Sequence, residues 1–514
     1  MQVTANYVTI IISRNYIEGY AMMKGTIIGR EIEQNVLTDI FKSQRAEFVA
    51  VYGRRRVGKT YLIEQFCKKQ ACLFFCITGL HKGTLKKQLD IFTESISKTF
   101  FVGTDLQIAR PTNWMQAFAW LTNAIKKFSM HKKIVLFFDE LPWLASKRSG
   151  FKQALDRYWN TTWSKDNKII LIICGSAASW MIKNIINDKG GLHNRITVQL
   201  PLYPFSLKET SDYLNYVGNK FNRRQVLELY LVLGGIPHYL EKVKANLSAA
   251  QNISRLCFTR SGQLFNEFDK LFASLFDHAD VYVELIRIIA SKRNGIERAA
   301  LEAAARSSTT GGTLTERLIA LEEAGFIKSF VPIGYAERGV YYKLIDEYCL
   351  FYLTWIKPVK RQLANETDSG YWLSKMISPA WKSWAGYAFE AVCLKHVSQI
   401  KKALFIPAGA LSGSWSYRAN SREENGAQVD LLFDRDDGVI SLCEIKYHQR
   451  SFAIDKKYAA TLQRKIEVFR EQSGINKQIF LSMITVDALK KNQYSEELIR
   501  SKATLEDLFE DAAN

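Results

Sequence analysis

Two apolar spacings alternate along this chain. Unbroken runs at 48–52, 71–78, 133–138 and 168–174 have no polar face, so they predict strands covered on both sides, as in a parallel sheet. Ile32, Val36, Leu37, Ile40 and Phe41 recur at helical spacing before the first run. Tyr61, Leu62, Ile63 and Phe66 do so after it, and 84–99 and 114–128 predict further amphipathic helices. Strands alternating with helices predict an α/β fold around a parallel sheet.

Beyond residue 213 the pattern changes. The stretch 213–271 reads as mostly helical, broken at Leu233-Gly234-Gly235-Ile236-Pro237-His238-Tyr239. Helices at 281–290, 297–305 and 313–324, a break at 307–312 and strands around 326–344 follow the order of a winged helix. Its third helix carries Glu316, Glu322 and Glu323 against Arg317, an acidic face poorly matched to a phosphate-lined groove. DNA contact and partner docking both stay open for that module. An aromatic-rich bridge at 348–372 leads to a helix starting near Trp381 and to alternating strands at 428–433 and 440–447, joined by a turn at 434–438.

A chain of 514 residues is too long for one core. The shifts in pattern predict a tail at 1–24, a sheet domain at 25–205, a helical lid at 206–278, the winged-helix module with its bridge at 279–360, and a C-terminal α/β domain at 361–514. The tail precedes Met22 and Met23 and reads equally as an extended start or a floppy end.

Lys and Arg number 70 against 51 Asp and Glu, a net charge of +19. That balance favours polyanionic partners, nucleotide or nucleic acid, although a generic basic surface fits it too. None of the eight cysteines forms a CxxC pair and most lie in apolar runs, so they read as reduced core residues. The seven histidines make no zinc pattern. No apolar run approaches 18 residues, and 7–12 is too short for a span or signal peptide. The expectation is a cytoplasmic protein with no membrane partner.

Candidate chemistry begins where the first apolar run ends. Gly53-Arg54-Arg55-Arg56-Val57-Gly58-Lys59-Thr60, followed by Tyr61, satisfies GxxxxGK[ST] between a predicted strand and a predicted helix. Loop N–H groups and the helix N-terminus then converge on a phosphate, Lys59 reaches the β- and γ-phosphates of ATP, and the Thr60 hydroxyl ligates Mg²⁺. The run at 133–138 ends in Asp139 and Glu140, placing acids at the C-terminal end of a parallel strand, where such sheets bind ligands. Asp139 can hold the Mg²⁺ shell and Glu140 can polarise the attacking water, or the pair can be an acidic strand cap. Ser176 follows the next strand as a γ-phosphate sensor or a turn residue. Arg195 precedes a short strand as an arginine finger or a surface ion-pair residue.

A second constellation lies near the C-terminus: Glu390 on the helix near Trp381, Asp430 on one strand, Glu444 and Lys446 on the next. Carboxylates on adjacent strands can share a divalent ion, and the lysine two residues on projects to the same face, able to orient a water for attack on a phosphodiester. The expectation is that Glu390, Asp430, Glu444 and Lys446 meet at one edge of a small mixed sheet as a Mg²⁺ site with Lys446 catalytic. A surface acid-lysine pair is the plainer reading.

The succession IIGRE, GRRRVGKT, LFFDELPWL, IICGSAASWM, LHNRITVQLPLYPFS and GGIPHYL, over about residues 25 to 360, resembles the archaeal-type P-loop ATPases, relatives of origin-recognition AAA+ and signalling NTPases. The resemblance implies an ATPase in which Lys59 and Thr60 are the Walker A pair, Asp139 and Glu140 the Walker B pair, and Arg30 packs near the adenine. It implies DNA as a partner and, if Arg195 acts on a neighbouring subunit, a homo-oligomer. The remaining C-terminal region resembles the PD-(D/E)xK nuclease modules of restriction-endonuclease type, with Asp430, Glu444 and Lys446 on the signature. Gln428 and Val429 stand where that signature often has a proline.

Overall fold

A run such as Ile169-Ile-Leu-Ile-Ile-Cys-Gly175 has no residue suited to water, so its strand is stable only between two covered faces, and every residue in it is buried. The structure is a computed structural model that describes residues 25–101, 109–128, 133–187, 190–305, 311–332, 339–363, 370–417, 426–448 and 450–511. The predicted tail at 1–24, most of the break at 307–312 and part of the aromatic bridge lie outside the described residues. The chain divides into two compact units, Met1–Tyr203 and Pro204–Asn514.

In the first unit the four apolar runs become β1 (Glu47–Tyr52), β2 (Cys72–Thr78), β3 (Lys133–Asp139) and β4 (Ile169–Gly175), joined by β5 (Val198–Pro201). The order is β2-β3-β4-β1-β5, with every neighbouring pair parallel. The accompanying helices are α1 (Glu31–Lys42), α2 (Lys59–Lys68), α3 (Leu85–Phe100), α4 (Trp114–Phe128) and α5 (Phe151–Thr161). Leu89, Phe92, Ile96 and Phe100 are buried along α3, as its helical spacing requires. Phe118 of α4 meets Phe138 and Phe151 edge to face at 5.6 and 5.4 Å. A buried ring of this kind contributes roughly 2 kcal/mol by transfer from water, and truncating it to alanine costs about 3–5 kcal/mol. Because the strands run parallel, the loop after β1, Ser176 after β4 and Asp139 at the end of β3 fall along one edge of the sheet, with β4 between the other two.

The second unit begins with helices. Among them α6 (Arg223–Leu233) opens on a reciprocal Asn222–Gln225 cap and stops at Gly234, φ 63°. Gly235 follows at φ 66°, and a Cβ there would stand 2.2 Å from the Phe205 carbonyl oxygen, which is why the predicted break falls here. Helices α7 (Ala279–Ala290), α8 (Arg298–Ala304) and α9 (Gly311–Glu323) are interleaved with a three-stranded antiparallel sheet, whose first strand falls between α7 and α8 and whose other two follow α9. Its strands β6 (Ile296–Glu297), β7 (Ile327–Phe330) and β8 (Tyr341–Leu344) take the order β6-β8-β7. Trp372 of the aromatic bridge and Trp381 after it are fully buried and meet at 5.1 Å.

Helix α10 (Pro379–Lys395) then leads to a five-stranded mixed sheet of β9 (Leu411–Tyr417), β10 (Ala427–Asp434), β11 (Val439–Lys446), β12 (Gln478–Thr485) and β13 (Ile499–Thr504), in the order β13-β12-β11-β10-β9. The predicted hairpin of β10 and β11 is antiparallel, with Leu431 opposite Cys443, while β11, β12 and β13 run parallel. Helix α11 (Lys456–Gln472) packs Phe469 against Trp415 at 4.9 Å. One expectation is corrected. The strands carrying Asp430 and Glu444 are interior ones, since β9 and β13 are the edges. No described helix is long and apolar enough to cross a membrane.

Candidate nucleotide site and candidate acid-lysine site

Three residues with positive φ, Gly53 (143°), Arg56 (72°) and Gly58 (93°), turn the chain back between β1 and α2. The Leu202 N–H donates to the Tyr52 carbonyl at 2.7 Å, bringing that backbone across the start of the loop. A Cβ on Gly53 would sit 2.2 Å from the Leu202 carbonyl oxygen, so only glycine fits. A Cβ on Gly58 would meet nothing within 4 Å, so the loop is open on that side.

Lys59 is only 6% exposed, and its ammonium donates to the Gly53 and Arg54 carbonyls, each at 2.9 Å. It is held by neutral partners. The Thr60 hydroxyl donates to Asp139 Oδ2 at 2.9 Å, joining the helix start to the end of β3. Asp139 Oδ1 accepts the Glu140 N–H at 3.0 Å. Glu140 itself has left-handed backbone (φ 48°, ψ 50°), sparsely populated for a residue with a Cβ and concentrated at functional sites. Its carboxylate accepts both the Ser176 hydroxyl at 2.9 Å and the Ser176 N–H at 3.2 Å. Ser176 thus reaches Glu140 with both its hydroxyl and its backbone N–H.

Arg30, also left-handed, donates to the Val57 carbonyl at 3.1 Å and pairs with Glu33 at 3.4 Å, bracing the loop from the segment before α1. Tyr61 reaches the Thr26 carbonyl at 3.1 Å. Arg54 and Val57 are buried, while Arg55 and Arg56 are half-buried. Arg195 is exposed and forms no ion pair with any described residue. The residues fit a nucleotide with its Mg²⁺: an open loop of backbone, a lysine on neutral carbonyls, and a hydroxyl already against a buried carboxylate.

The second site is differently balanced. Asp430 precedes Leu431 and Glu444 follows Cys443, the last facing pair of β10 and β11. Glu444, 7% exposed, takes Lys446 at 2.9 Å and the Tyr458 hydroxyl at 2.6 Å on one oxygen, and Lys465 at 2.5 Å on the other. Burial alone would raise its pKa. Lys465 and Lys446 outweigh that and hold the carboxyl down to about 2. Glu390 is pushed up to about 7 by burial and next by Asp430, against the Lys343 ammonium 3.4 Å away. Asp430 accepts from the Gln428 side-chain amide at 2.5 Å.

The expected three-acid metal set is corrected: no group of three His, Cys, Asp or Glu among the described residues is gathered to hold a metal ion. Two lysines and a tyrosine occupy Glu444 instead. The mutual repulsion of Asp430 and Glu390 remains, and Mg²⁺ needs only one or two carboxylates with its waters. Lys465, Tyr458 and Lys343 were missed. Tyr458 and Lys465 stand seven apart on α11, one helical face, a spacing that marks them as neighbours once the helix is known.

The curated relative MJECL04 of Methanocaldococcus jannaschii, an uncharacterized protein, is 25% identical over 447 residues, covering 85% of this chain and 91% of the relative. The Walker-type ATPase PABY2304 of Pyrococcus abyssi is 18% identical, with a TM-score of 0.46 over 64% of this chain and 96% of its own. The ORC2 protein of Aeropyrum pernix in its ADPNP-ADP complexes is 15% identical, with a TM-score of 0.41 over 68% of this chain and 95% of its own. Residues 28–243 match the family model of an ATPase domain found predominantly in Archaea. The chain thus carries an archaeal-type ATPase domain, extending from the parallel-sheet unit into the first helices of the second.

Proposed function

We propose that the chain hydrolyses ATP and acts on DNA, with 279–360 a winged-helix module and 361–514 a Mg²⁺-dependent nuclease-like module of PD-(D/E)xK type. The observation that carries the ATPase reading is the Thr60–Asp139 hydrogen bond at 2.9 Å, which joins two motifs 79 residues apart at one edge of the sheet. In this reading the N–H groups of 53–60 and the Lys59 ammonium bind the β- and γ-phosphates, and Thr60 and Asp139 hold Mg²⁺. Bound there, the ion supplies charge neutralisation across the phosphate oxygens. Glu140 orients the attacking water, Ser176 fixes the Glu140 carboxylate, and Arg30 braces the loop beside the adenine. Arg195, exposed and unpaired among the described residues, serves a second copy of the chain in a homo-oligomer.

In the C-terminal module Asp430 and Glu390 hold the divalent ion and Lys446 orients water toward a phosphodiester. A +19 chain favours DNA as the polyanion. A second reading has a specific observation behind it: Lys446 and Lys465 already neutralise Glu444, which suits a nucleotide-dependent switch whose C-terminal module binds without cutting. Incubating the full chain with plasmid and linear DNA, in Mg²⁺ or Mn²⁺, with and without ATP, tests this. Divalent-dependent cleavage that disappears in Asp430→Ala supports the nuclease. ATP turnover without any cleavage leaves the switch.

A further inference from the structure

A cleft of the second unit is lined by residues of β7 and β8 on one side and of β9 and β10 on the other. On one side the register of β7 and β8 sets Lys328 directly opposite Lys343 and Phe330 directly opposite Tyr341, and all four line the cleft. Like charges facing across an antiparallel pair repel, so an arrangement of this kind is favourable when an anion lies over it. Lys343, 5% exposed, has part of its charge met by Glu390 at 3.4 Å, while Lys328 is exposed. Beside the lysines the Phe330 and Tyr341 rings stack at 5.8 Å with an interplanar angle of 29°.

The opposite wall is polar and mostly uncharged. Ser412, Ser414 and Ser416 recur every second residue on the edge strand β9, with Gln428 opposite Ser416 on β10 and Asp430 two residues further. Hydroxyls and an amide can accept or donate to sugar and base edges. The single acid on this wall, Asp430, is also a residue of the candidate acid-lysine site.

Cations to receive phosphate, a flat aromatic pair to receive a base and hydroxyls to receive a sugar together describe a nucleotide in a strand. Duplex DNA hides its base faces, so a base laid on Phe330 and Tyr341 has to come from an unpaired strand. We propose that this cleft seats an unpaired segment of single-stranded DNA, with its phosphate over Lys328 and Lys343, a base on Phe330 and Tyr341, and the strand running past Asp430. The inference rests on the reading that the chain acts on DNA, and it names the strand form and the residues that would hold it.

The experiment is equilibrium binding of a fluorescent oligothymidine of about ten nucleotides to the full chain in EDTA, by anisotropy, beside a hairpin duplex of the same length. No divalent ion and no cleavage enters the readout. The single strand binds tighter than the duplex, Phe330→Ala weakens it by about tenfold or more, and Lys328→Glu weakens it by a similar factor and flattens its salt dependence. Both variants keep the melting temperature and ATP turnover of the wild type. Single-strand binding that neither variant weakens, or a duplex preferred over the single strand, overturns the cleft while leaving DNA as a partner. Wild type that binds no oligonucleotide at low salt overturns the cleft and the DNA reading together.

Discussion

Lys59 and Lys446 each stand beside an acid-bearing strand, yet their charges are balanced in opposite ways. Lys59 rests on two neutral carbonyls, and the acids near it are held by the hydroxyls of Thr60 and Ser176. Lys446 is spent on Glu444, which Lys465 also binds. A phosphate arriving at the first site meets a cation whose only competitors are dipoles, whereas a cation arriving at the second must displace two ammonium groups from Glu444 or settle for Asp430 and Glu390. The lesson is that the same residue types are poised by backbone geometry in one unit and closed by ion pairs in the other.

The largest break in that contrast is Lys59→Ala. Charged hydrogen bonds contribute roughly 1.5–3 kcal/mol each, so losing those to two phosphates should weaken ATP by about a hundredfold or more in a calorimeter. Wild-type affinity in this variant would remove the loop from the account. Next comes Lys465→Met, which takes one of the two cations off Glu444. Divalent affinity at the second site should rise by about tenfold, read by Mn²⁺ paramagnetic resonance, and an unchanged affinity would mean that Lys465 does not compete with metal.

Ser176→Ala removes one hydroxyl from Glu140 and leaves the backbone N–H in place. Turnover should fall about tenfold with KM held, since a single hydrogen bond to a charged group is lost and the phosphates keep their partners. A rise in KM at constant kcat would instead place Ser176 on the substrate.

The smallest effect is in pH. The Glu444 carboxyl is lower in the folded state, so its contribution is present above its ordinary value of 4.5 and is lost as pH falls toward about 2. Glu390 has the opposite sign. Raised to about 7, it stabilises fully below 4.5, and that contribution is lost as pH rises through about 7. Denaturation midpoints should therefore decline between pH 4.5 and 7 more steeply in wild type than in Glu390→Gln. Identical slopes would contradict the burial of that carboxyl beside Asp430.

How much of this was legible depended on whether chemistry lay in a contiguous stretch. The loop could be read because its glycines, lysine and threonine are consecutive, and β1 to β4 because a run such as that of β4 has no polar face. Leu202 lies far from Gly53 in sequence, so its passage across the loop, which makes that glycine obligatory, left no local mark. The Ser176–Glu140 bond required knowing that β4 lies beside β3. In the second unit β9 and β13 escaped reading because LSGSWSY and IRSKAT are largely polar, their stability coming from the neighbours they pair with. With β9 and β12, the outer neighbours of β10 and β11, both unread, the acids looked like edge residues, and missing the face of α11 hid the lysine and tyrosine that hold Glu444.

ATP hydrolysis at the sheet edge where Thr60, Asp139, Glu140 and Ser176 meet turns on the Glu140 carboxylate. Glu140→Gln keeps the shape of the site and removes the carboxylate that orients water. In parallel measurements of ATP affinity and steady-state turnover, the account predicts affinity near that of wild type and a kcat lower by about two to four orders of magnitude. Turnover in Glu140→Gln equal to that of the wild type would contradict it.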